Sequence, residues 1–270
     1  MAITTMDGLL AAYSTAKRYP FYIASTSTEG AGKYASRWIR TGRIPLTGAA
    51  PGSTARACSS STAGALNPGM GSAAGGNKFY LAGISIVSGS VGGFLIYDRL
   101  VDVSGLSGTQ TTTDTAINST AITRPDANGA GVELWQEVYT AYGSTGATLN
   151  IKYTDQDGNT GVSTTYTHPS DAPTATQVIP TDLAAGDTGV RAVTAYHWSG
   201  TTGTAGDFGF TLRRRIGGVF PASPANVATT FNAIDIGLVE VPNDACIEFV
   251  WTANGTSTGD CRGELVIVEA

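Results

Sequence analysis

Glu133 and Glu137 flank Trp135 in the segment 132–142 of this 270-residue sequence, and together they are the residues whose type and spacing come nearest to a catalytic pair. Strict alternation puts Glu133, Trp135, Glu137 and Tyr139 on one face of a strand and Val132, Leu134 and Val138 on the other. Two carboxylates beside an aromatic platform are the equipment of a polysaccharide hydrolase, one acting as acid and the other as base or nucleophile. On a strand, however, an i, i+4 spacing sets the Cα atoms roughly 13 Å apart. Such reactions use separations of about 5–10 Å, so the side chains would have to converge. A solvated or subunit-facing strand surface is the expectation for this face.

The remaining chemical candidates are thinner. His168 and His197 are the two histidines, one in a Thr-His-Pro-Ser-Asp turn and one beside Trp198 at a strand end, and neither stands at a triad spacing from a serine and a carboxylate. Gly255-Thr256-Ser257-Thr258-Gly259 fits the nucleophile-elbow pattern, but a strand follows it where a helix is required, and no histidine lies downstream. Asp155-Gln156-Asp157-Gly158-Asn159 alternates oxygen-bearing side chains as a calcium loop does. Tyr166 holds the position where an EF-hand needs glutamate, and Asp-Gly between two strands reads as a hairpin turn. Asp207-Phe208-Gly209 lacks the catalytic loop of a kinase. Gly69-Met70-Gly71 follows no strand, as a dinucleotide loop would. Asn118-Ser119-Thr120 and Asn254-Gly255-Thr256 fit the glycosylation acceptor, which matters only for a secreted eukaryotic chain. Arg213-Arg214-Arg215 ends a strand, so alternate arginines face opposite sides and one of them bridges a carboxylate. No catalytic, cofactor-binding or metal-binding set emerges, and the expectation is a protein without enzymatic activity or cofactor.

The elements that would position these residues are set by composition. Glycine supplies 35 residues, serine and threonine together about 60, and charged residues only 14 %. That is too little charge for a helical bundle, and the 41 % apolar content is too high for a charge-driven disordered chain. A net charge of −5 argues against a nucleic-acid surface. The sequence has no apolar run long enough for a transmembrane helix, and the segment from Met1 to Tyr13 does not read as a signal peptide. Three cysteines, Cys58, Cys246 and Cys261, are too few for a disulfide scaffold and suit synthesis in a reducing cytoplasm. Cys246 and Cys261 flank the last hairpin symmetrically, so a cross-strand disulfide is conceivable there, with two separate buried thiols the preferred reading.

Residues 4–16 carry a helical pattern, capped by Thr4 or Thr5, with Met6, Leu9, Leu10 and Tyr13 as the docking stripe and Pro20 as the stop. Residues 20–77 then become irregular. An aromatic and basic patch containing Phe21, Tyr22, Tyr34, Trp38 and Ile39 precedes a Gly/Ala/Ser/Pro-rich stretch over 47–76. Such a segment buries little of its own, yet these side chains are costly in water, so they are read as the contacts of an extended arm on the body or on a neighbouring subunit. The arm reading expects removal of residues 1–75 to leave a folded β body.

From residue 78 onward strands are expected at 79–88, 93–102, 132–142, 147–154, 160–167, 175–181, 189–198, 207–216, 234–241, 245–253 and 261–269. A G-[ST]-x-G repeat at 89–92, 143–146 and 203–206, lengthened by one residue at 255–259, is read as a set of hairpin loops. The fold class expected is all-β: a jelly-roll-like β-sandwich body over 78–270, preceded by a short helix and extended arm over 1–77.

Several segments in order carry a family resemblance: the opening Met1-Ala2-Ile3-Thr4-Thr5-Met6-Asp7-Gly8-Leu9-Leu10-Ala11-Ala12, the Phe21-Tyr22 pair, Leu95-Ile96-Tyr97-Asp98-Arg99-Leu100, and Ser104-Gly105-Leu106-Ser107-Gly108-Thr109. Thr123-Arg124-Pro125-Asp126, Gly131-Val132-Glu133-Leu134-Trp135, Ala185-Gly186-Asp187-Thr188-Gly189-Val190-Arg191 and Val241-Pro242-Asn243-Asp244-Ala245-Cys246 continue it. Over nearly its full length the chain resembles a family of tailed-bacteriophage and prophage virion proteins whose motifs have no assigned chemistry. The resemblance implies a structural subunit of a phage particle, made in the bacterial host cytoplasm and located in the virion. A capsid cement or decoration protein is the preferred form. Its partners would be the major capsid protein and copies of itself, as a homo-oligomer such as a trimer, with no nucleic acid and no membrane. A tail, baseplate or fibre component that binds host glycans through Trp135, Tyr139 or Trp198 is the alternative, and a hydrolase using Glu133 and Glu137 is a third.

Overall fold

The computed structural model describes residues 3, 5–24, 32–39, 42–67, 69–111, 113–168, 172–220, 226–254 and 260–270. In chain order the elements are α1 (Met6–Ser14), β1 (Lys17–Ile23), β2 (Tyr34–Ser36), β3 (Gly42–Ile44), β4 (Arg56–Ala57), β5 (Phe79–Ser88), β6 (Gly92–Leu106), β7 (Thr115–Ala116), β8 (Glu133–Thr140) and β9 (Thr148–Asp155). They continue with β10 (Thr160–Thr167), β11 (Gln177–Thr181), β12 (Val190–Trp198), β13 (Asp207–Val219), β14 (Thr229–Asn232), α2 (Ala233–Ile236), β15 (Val239–Val241), β16 (Ile247–Ala253) and β17 (Cys261–Glu269).

The all-β expectation holds, but the strands form a closed barrel rather than a two-layer jelly roll. β13, β8, β11, β2, β16 and β6 follow one another in a sheet, and β13 pairs back onto β6 to shut the ring. Two further sheets flank the barrel, one ordered β14-β5-β17-β1-β3 with β15 also on β5, the other β10-β9-β12-β7. On one outer side of the barrel Phe94, Ile96, Phe249 and Trp251 pack with Phe21, Ile84, Ile86, Leu265 and Ile267 of the first flanking sheet. On another, Val103, Leu134, Val138, Phe208 and Phe210 pack with Leu149, Ile151, Tyr196 and Trp198 of the second.

The three described G-[ST]-x-G segments do not close hairpins. Residues 89–92 lead from β5 in one flanking sheet into β6 in the barrel, 143–146 from β8 in the barrel to β9, and 203–206 from β12 back to β13. They are crossovers between layers, and two of them dock on each other: Gly143 N donates to Thr204 O at 3.2 Å and Thr145 N to Thr202 O at 3.0 Å. A Cβ on Gly143 would stand 1.8 Å from Thr202 O, so only glycine permits this approach. The fourth copy, 255–259, lies outside the described residues, as do Thr4 and the turn residues 169–171.

The N-terminal segment, expected as a helix and extended arm over 1–77, contributes strands to these sheets and so lies against the body. β1 pairs along β17, from Lys17 opposite Ile267 to Ile23 opposite Cys261. β2 joins β11 to β16 and completes the barrel. The helix is present, with Thr5 accepting from Gly8 N at 3.1 Å as its N-cap. Its docking face is shifted: Ala12 is buried beside Leu9 and Tyr13, while Met6 and Leu10 are 56 % and 62 % exposed. Pro20, the expected helix stop, lies inside β1, which begins at Lys17. The expected strand at 234–241 is instead the short helix α2 followed by β15.

Candidate functional site

The barrel interior is the most chemically loaded place in the described structure. Leu95, Tyr97, Trp135, Val178 and Val250, drawn from four strands of the ring, form one buried cluster with half-buried Tyr34 of a fifth. Beyond it the filling becomes ionic. Arg99 Nη1 lies 2.7 Å from Glu137 Oε2 and 3.0 Å from Glu248 Oε2, Arg99 Nε donates to Asp102 Oδ2 at 2.9 Å, and Arg99 Nη2 donates to Tyr139 Oη at 2.9 Å. The Arg99 guanidinium also stands 4.4 Å from the ring centroid of Trp38. Arg213 is the second cation, 3.4 Å from Glu137 Oε2 and 3.1 Å from Glu248 Oε1, the latter an ion pair too bent for a hydrogen bond. Its guanidinium is 5.2 Å from the Trp135 ring centroid.

A β-bulge makes this arrangement possible. Arg213 sits opposite Arg99 and Leu212 opposite Val101, so Leu100 is the extra residue on β6. Alternation reverses there, and Arg99 and Asp102, which a regular strand would send to opposite faces, meet on one. At the edge of the network Arg56 Nε donates to Asp102 Oδ1 at 2.8 Å. Asp98, one residue before Arg99, takes a two-pronged contact from Arg124 at 2.8 and 3.0 Å and a hydrogen bond from Cys246 N at 2.8 Å.

The electrostatics follow from burial set against partners. Burial lowers Arg99, but Glu137, Tyr139, Asp102 and Glu248 outweigh it and hold the guanidinium well above its ordinary value. Burial pushes Asp102 up, yet Arg99 and Arg56 bring it below the usual carboxylate range. For Glu248 burial wins over Arg213 and Arg99, and its carboxyl is raised. Asp98 is raised by burial for the same reason, against Arg124.

The expected solvated face of the 132–142 strand is therefore an interior one. Glu137 is 0 %, Trp135 3 % and Tyr139 8 % exposed, so the supposed aromatic platform does not face solvent. Trp198 is also fully buried, in the packing between barrel and flanking sheet. Glu133 and an edge of Trp135 line a surface cleft of about 560 Å³ together with Thr181, Asp182 and Asp187, and Glu137 does not reach it. There Glu133 Oε2 accepts from Trp135 Nε1 at 2.7 Å and from Tyr97 Oη at 3.2 Å. The two carboxylates of the proposed pair do not share a cleft.

The other candidates resolve locally. Asp155 Oδ1 accepts from the backbone N of Asp157 at 2.8 Å and of Asn159 at 2.9 Å, in the β9–β10 hairpin turn that Asp-Gly suggested. His168 is buried among Tyr142, Tyr166 and Trp198, and His197 Nδ1 lies 2.7 Å from Asp114 Oδ1 near the surface. Of the arginine run, Arg213 is the one that meets carboxylates inside, while Arg215 is exposed. Phe21 stacks on Phe94 and packs tilted against Phe249 in the chain's own core, and Trp38 is 1 % exposed over Arg99. Tyr34 abuts Trp135 edge-on, and Tyr22, Tyr34 and Ile39 each keep part of their surface open. Of the arm contacts expected on the body or on a neighbouring subunit, Phe21 and Trp38 are thus made within the chain.

Cys246 and Cys261 do not oppose each other, because β16 and β17 lie in different sheets. Cys246 adjoins Cys58 instead. Among the described residues no group of three or more His, Cys, Asp or Glu could hold a metal ion, and no helix is long and apolar enough to cross a membrane.

No protein-family model and no curated protein matches the chain. Among solved structures it is similar to a chain of the infectious bursal disease virus particle, with 10 % identity and a TM-score of 0.15 over 94 % of this chain and 39 % of that one. A mutant VP2 protein of infectious bursal disease virus gives 13 % identity and a TM-score of 0.13, over 94 % of this chain and 40 % of that one. This chain thus spans about two fifths of the length of the viral chains it aligns with.

Proposed function

We propose that this chain is a structural subunit of a phage particle, a cement or decoration protein that binds and stabilises the major capsid protein lattice as a homo-oligomer. The observation that carries this reading is where the reactive groups are. Glu137, Glu248, Asp102, Arg99 and Arg213 are 0–1 % exposed and paired with one another inside the barrel, which supports a role in holding the fold. What faces outward is small, polar and poor in charge, with apolar Met6, Leu10, Leu46, Phe220 and Ile234 exposed. A surface weakly protected by charge and dotted with apolar side chains suits association with other subunits. The resemblance to tailed-phage virion proteins along the sequence points the same way.

The bridging element in this reading is the folded surface, not a detachable arm. Removal of residues 1–75 takes away β1 and β2 and with them the closure of the barrel, so that truncation should fail to fold. The test is copy number, measured by quantitative mass spectrometry on particles from cells that make the chain. Hundreds of copies per particle support a shell subunit. Three to a few dozen overturn it in favour of the tail or fibre reading, and absence from particles overturns both.

A further inference from the structure

Two strands far apart in sequence lie end to end along one edge of β6. Arg56 and Ala57 of β4 sit opposite Asp102 and Val101, and β16 begins with Ile247 opposite Asp98. The ladder continues one residue beyond each named end. Cys58 N donates to Leu100 O at 2.9 Å, and Arg99 N donates to Cys246 O at 2.9 Å. The two cysteines therefore occupy consecutive rungs on the same edge. That spacing is on the scale of the roughly 4–7 Å between Cα atoms that a disulfide bridges.

The side chains agree with the backbone. Cys58 and Cys246 are 1 % and 0 % exposed and share one buried cluster with Trp38 and Ala65. Hydrogen bonds on both sides hold the two segments together: Ser60 N donates to Asp244 O at 3.2 Å, and Leu66 N to Ile247 O at 2.9 Å. Cys261, by contrast, lies in another sheet opposite Ser88.

We infer that Cys58 and Cys246 form a latent cross-link site, which closes to a disulfide when the chain meets a disulfide oxidant such as glutathione disulfide. One thiolate attacks the glutathione disulfide and releases one glutathione. The second cysteine then attacks the mixed disulfide and releases the other. Two protein thiols lose two protons and two electrons, and one glutathione disulfide becomes two glutathiones. Burial, and then the neighbouring Cys58 thiol, push the Cys246 thiol well above its ordinary value, so exchange in the closed fold is slow and proceeds through opening of the segment around Cys58. The product would staple the Gly-rich segment 47–76 to the barrel strand next to Arg99.

The test uses the full chain, held in glutathione disulfide in mild urea, returned to buffer, then unfolded and alkylated for intact-mass and peptide mapping. The expected result is loss of two of the three alkylatable thiols, a linked peptide containing Cys58 and Cys246, an alkylated Cys261, and a higher Tm than the reduced chain. Cys261→Ser should cross-link equally, whereas Cys58→Ser and Cys246→Ser should form no intramolecular link. Three alkylatable thiols after treatment, a link to Cys261, or glutathione adducts without a protein–protein link would each overturn the proposal.

Discussion

Inside the barrel, Arg99, Arg213, Glu137 and Glu248 are held by ion pairs of 2.7–3.4 Å, while on the outside of the same strands Phe94, Phe210, Leu134 and Phe249 are buried in hydrocarbon. The outer layers are joined by a non-directional force proportional to buried area. The inner filling is directional, and each of its members is costly without its partners. The comparison assigns different work to the two regions: the outer clusters supply stability, and the inner network fixes the register and the bulge at Leu100 that sets Arg99 beside Asp102.

The sharpest way to break that division is Arg99→Met. It leaves Glu137, Glu248 and Asp102 buried around a missing cation, and urea unfolding should show a loss of about 3–5 kcal/mol. Replacing Arg99, Arg213, Glu137 and Glu248 at once, with Met at 99 and 213 and Leu at 137 and 248, should return stability to within about 1–2 kcal/mol of the parent, because Asp102 keeps its ion pair with Arg56 and the other buried charges of the network are gone. A fourfold variant as unstable as Arg99→Met would show that the ion pairs themselves carry net stability.

Next in size are the outer clusters. Leu149→Ala and Leu265→Ala should each cost about 2–5 kcal/mol. The two lie in separate clusters on different sides of the barrel, so the double variant should be additive to within about 0.5 kcal/mol in the same urea melts. Marked non-additivity would mean that the barrel transmits strain between its faces.

Smaller effects follow from pH, with opposite signs at two carboxyls. Glu248 is raised by burial against Arg213 and Arg99, so its contribution is fully present below the unfolded carboxyl range and is lost as pH rises through the raised value. Asp102 is raised by burial but lowered overall by Arg99 and Arg56, so its contribution is present above that range and is lost as pH falls through the lowered value. Unfolding free energy measured from weak acid toward neutrality should therefore decline less in Glu248→Gln than in the parent. At the acid end it should decline less in Asp102→Asn. Parallel curves for parent and variants would remove these two groups from the pH response. The smallest expected effect is Thr5→Ala, about 1 kcal/mol at the helix N-cap, read as faster amide exchange over α1 with little change in the rest of the chain.

Much of the strand pattern was readable because period-two alternation survives in β8 and β9, and the boundaries of β5, β10 and β17 coincide with those expected. The buried network was not readable, for a physical reason. The Leu100 bulge breaks the period in β6 just where Arg99 and Asp102 stand, and nothing local in a sequence announces that Glu248 will face them from a strand near the other end of the chain. Composition also misleads about the segment 47–76. Its glycines look like disorder, but Gly48 and Gly64 are the positions where a Cβ would come within 2.6 and 3.0 Å of Trp38, and they let the chain close over that ring. The three described G-[ST]-x-G repeats connect strands, as expected, but not within hairpins, since such a motif says nothing about whether its two strands share a sheet.

The order of strands in the first flanking sheet has a consequence for synthesis. β17, the last strand in the chain, lies between β5 and β1 and is the pairing partner of both. A ribosome therefore extrudes β1 with its long edge unmatched and cannot supply the missing neighbour until β17 emerges. Loop closure over nearly the whole chain is slow. In that interval Phe21 and Ile23 are exposed on an open strand edge, the form of a nascent chain that calls for a chaperone or for rapid completion.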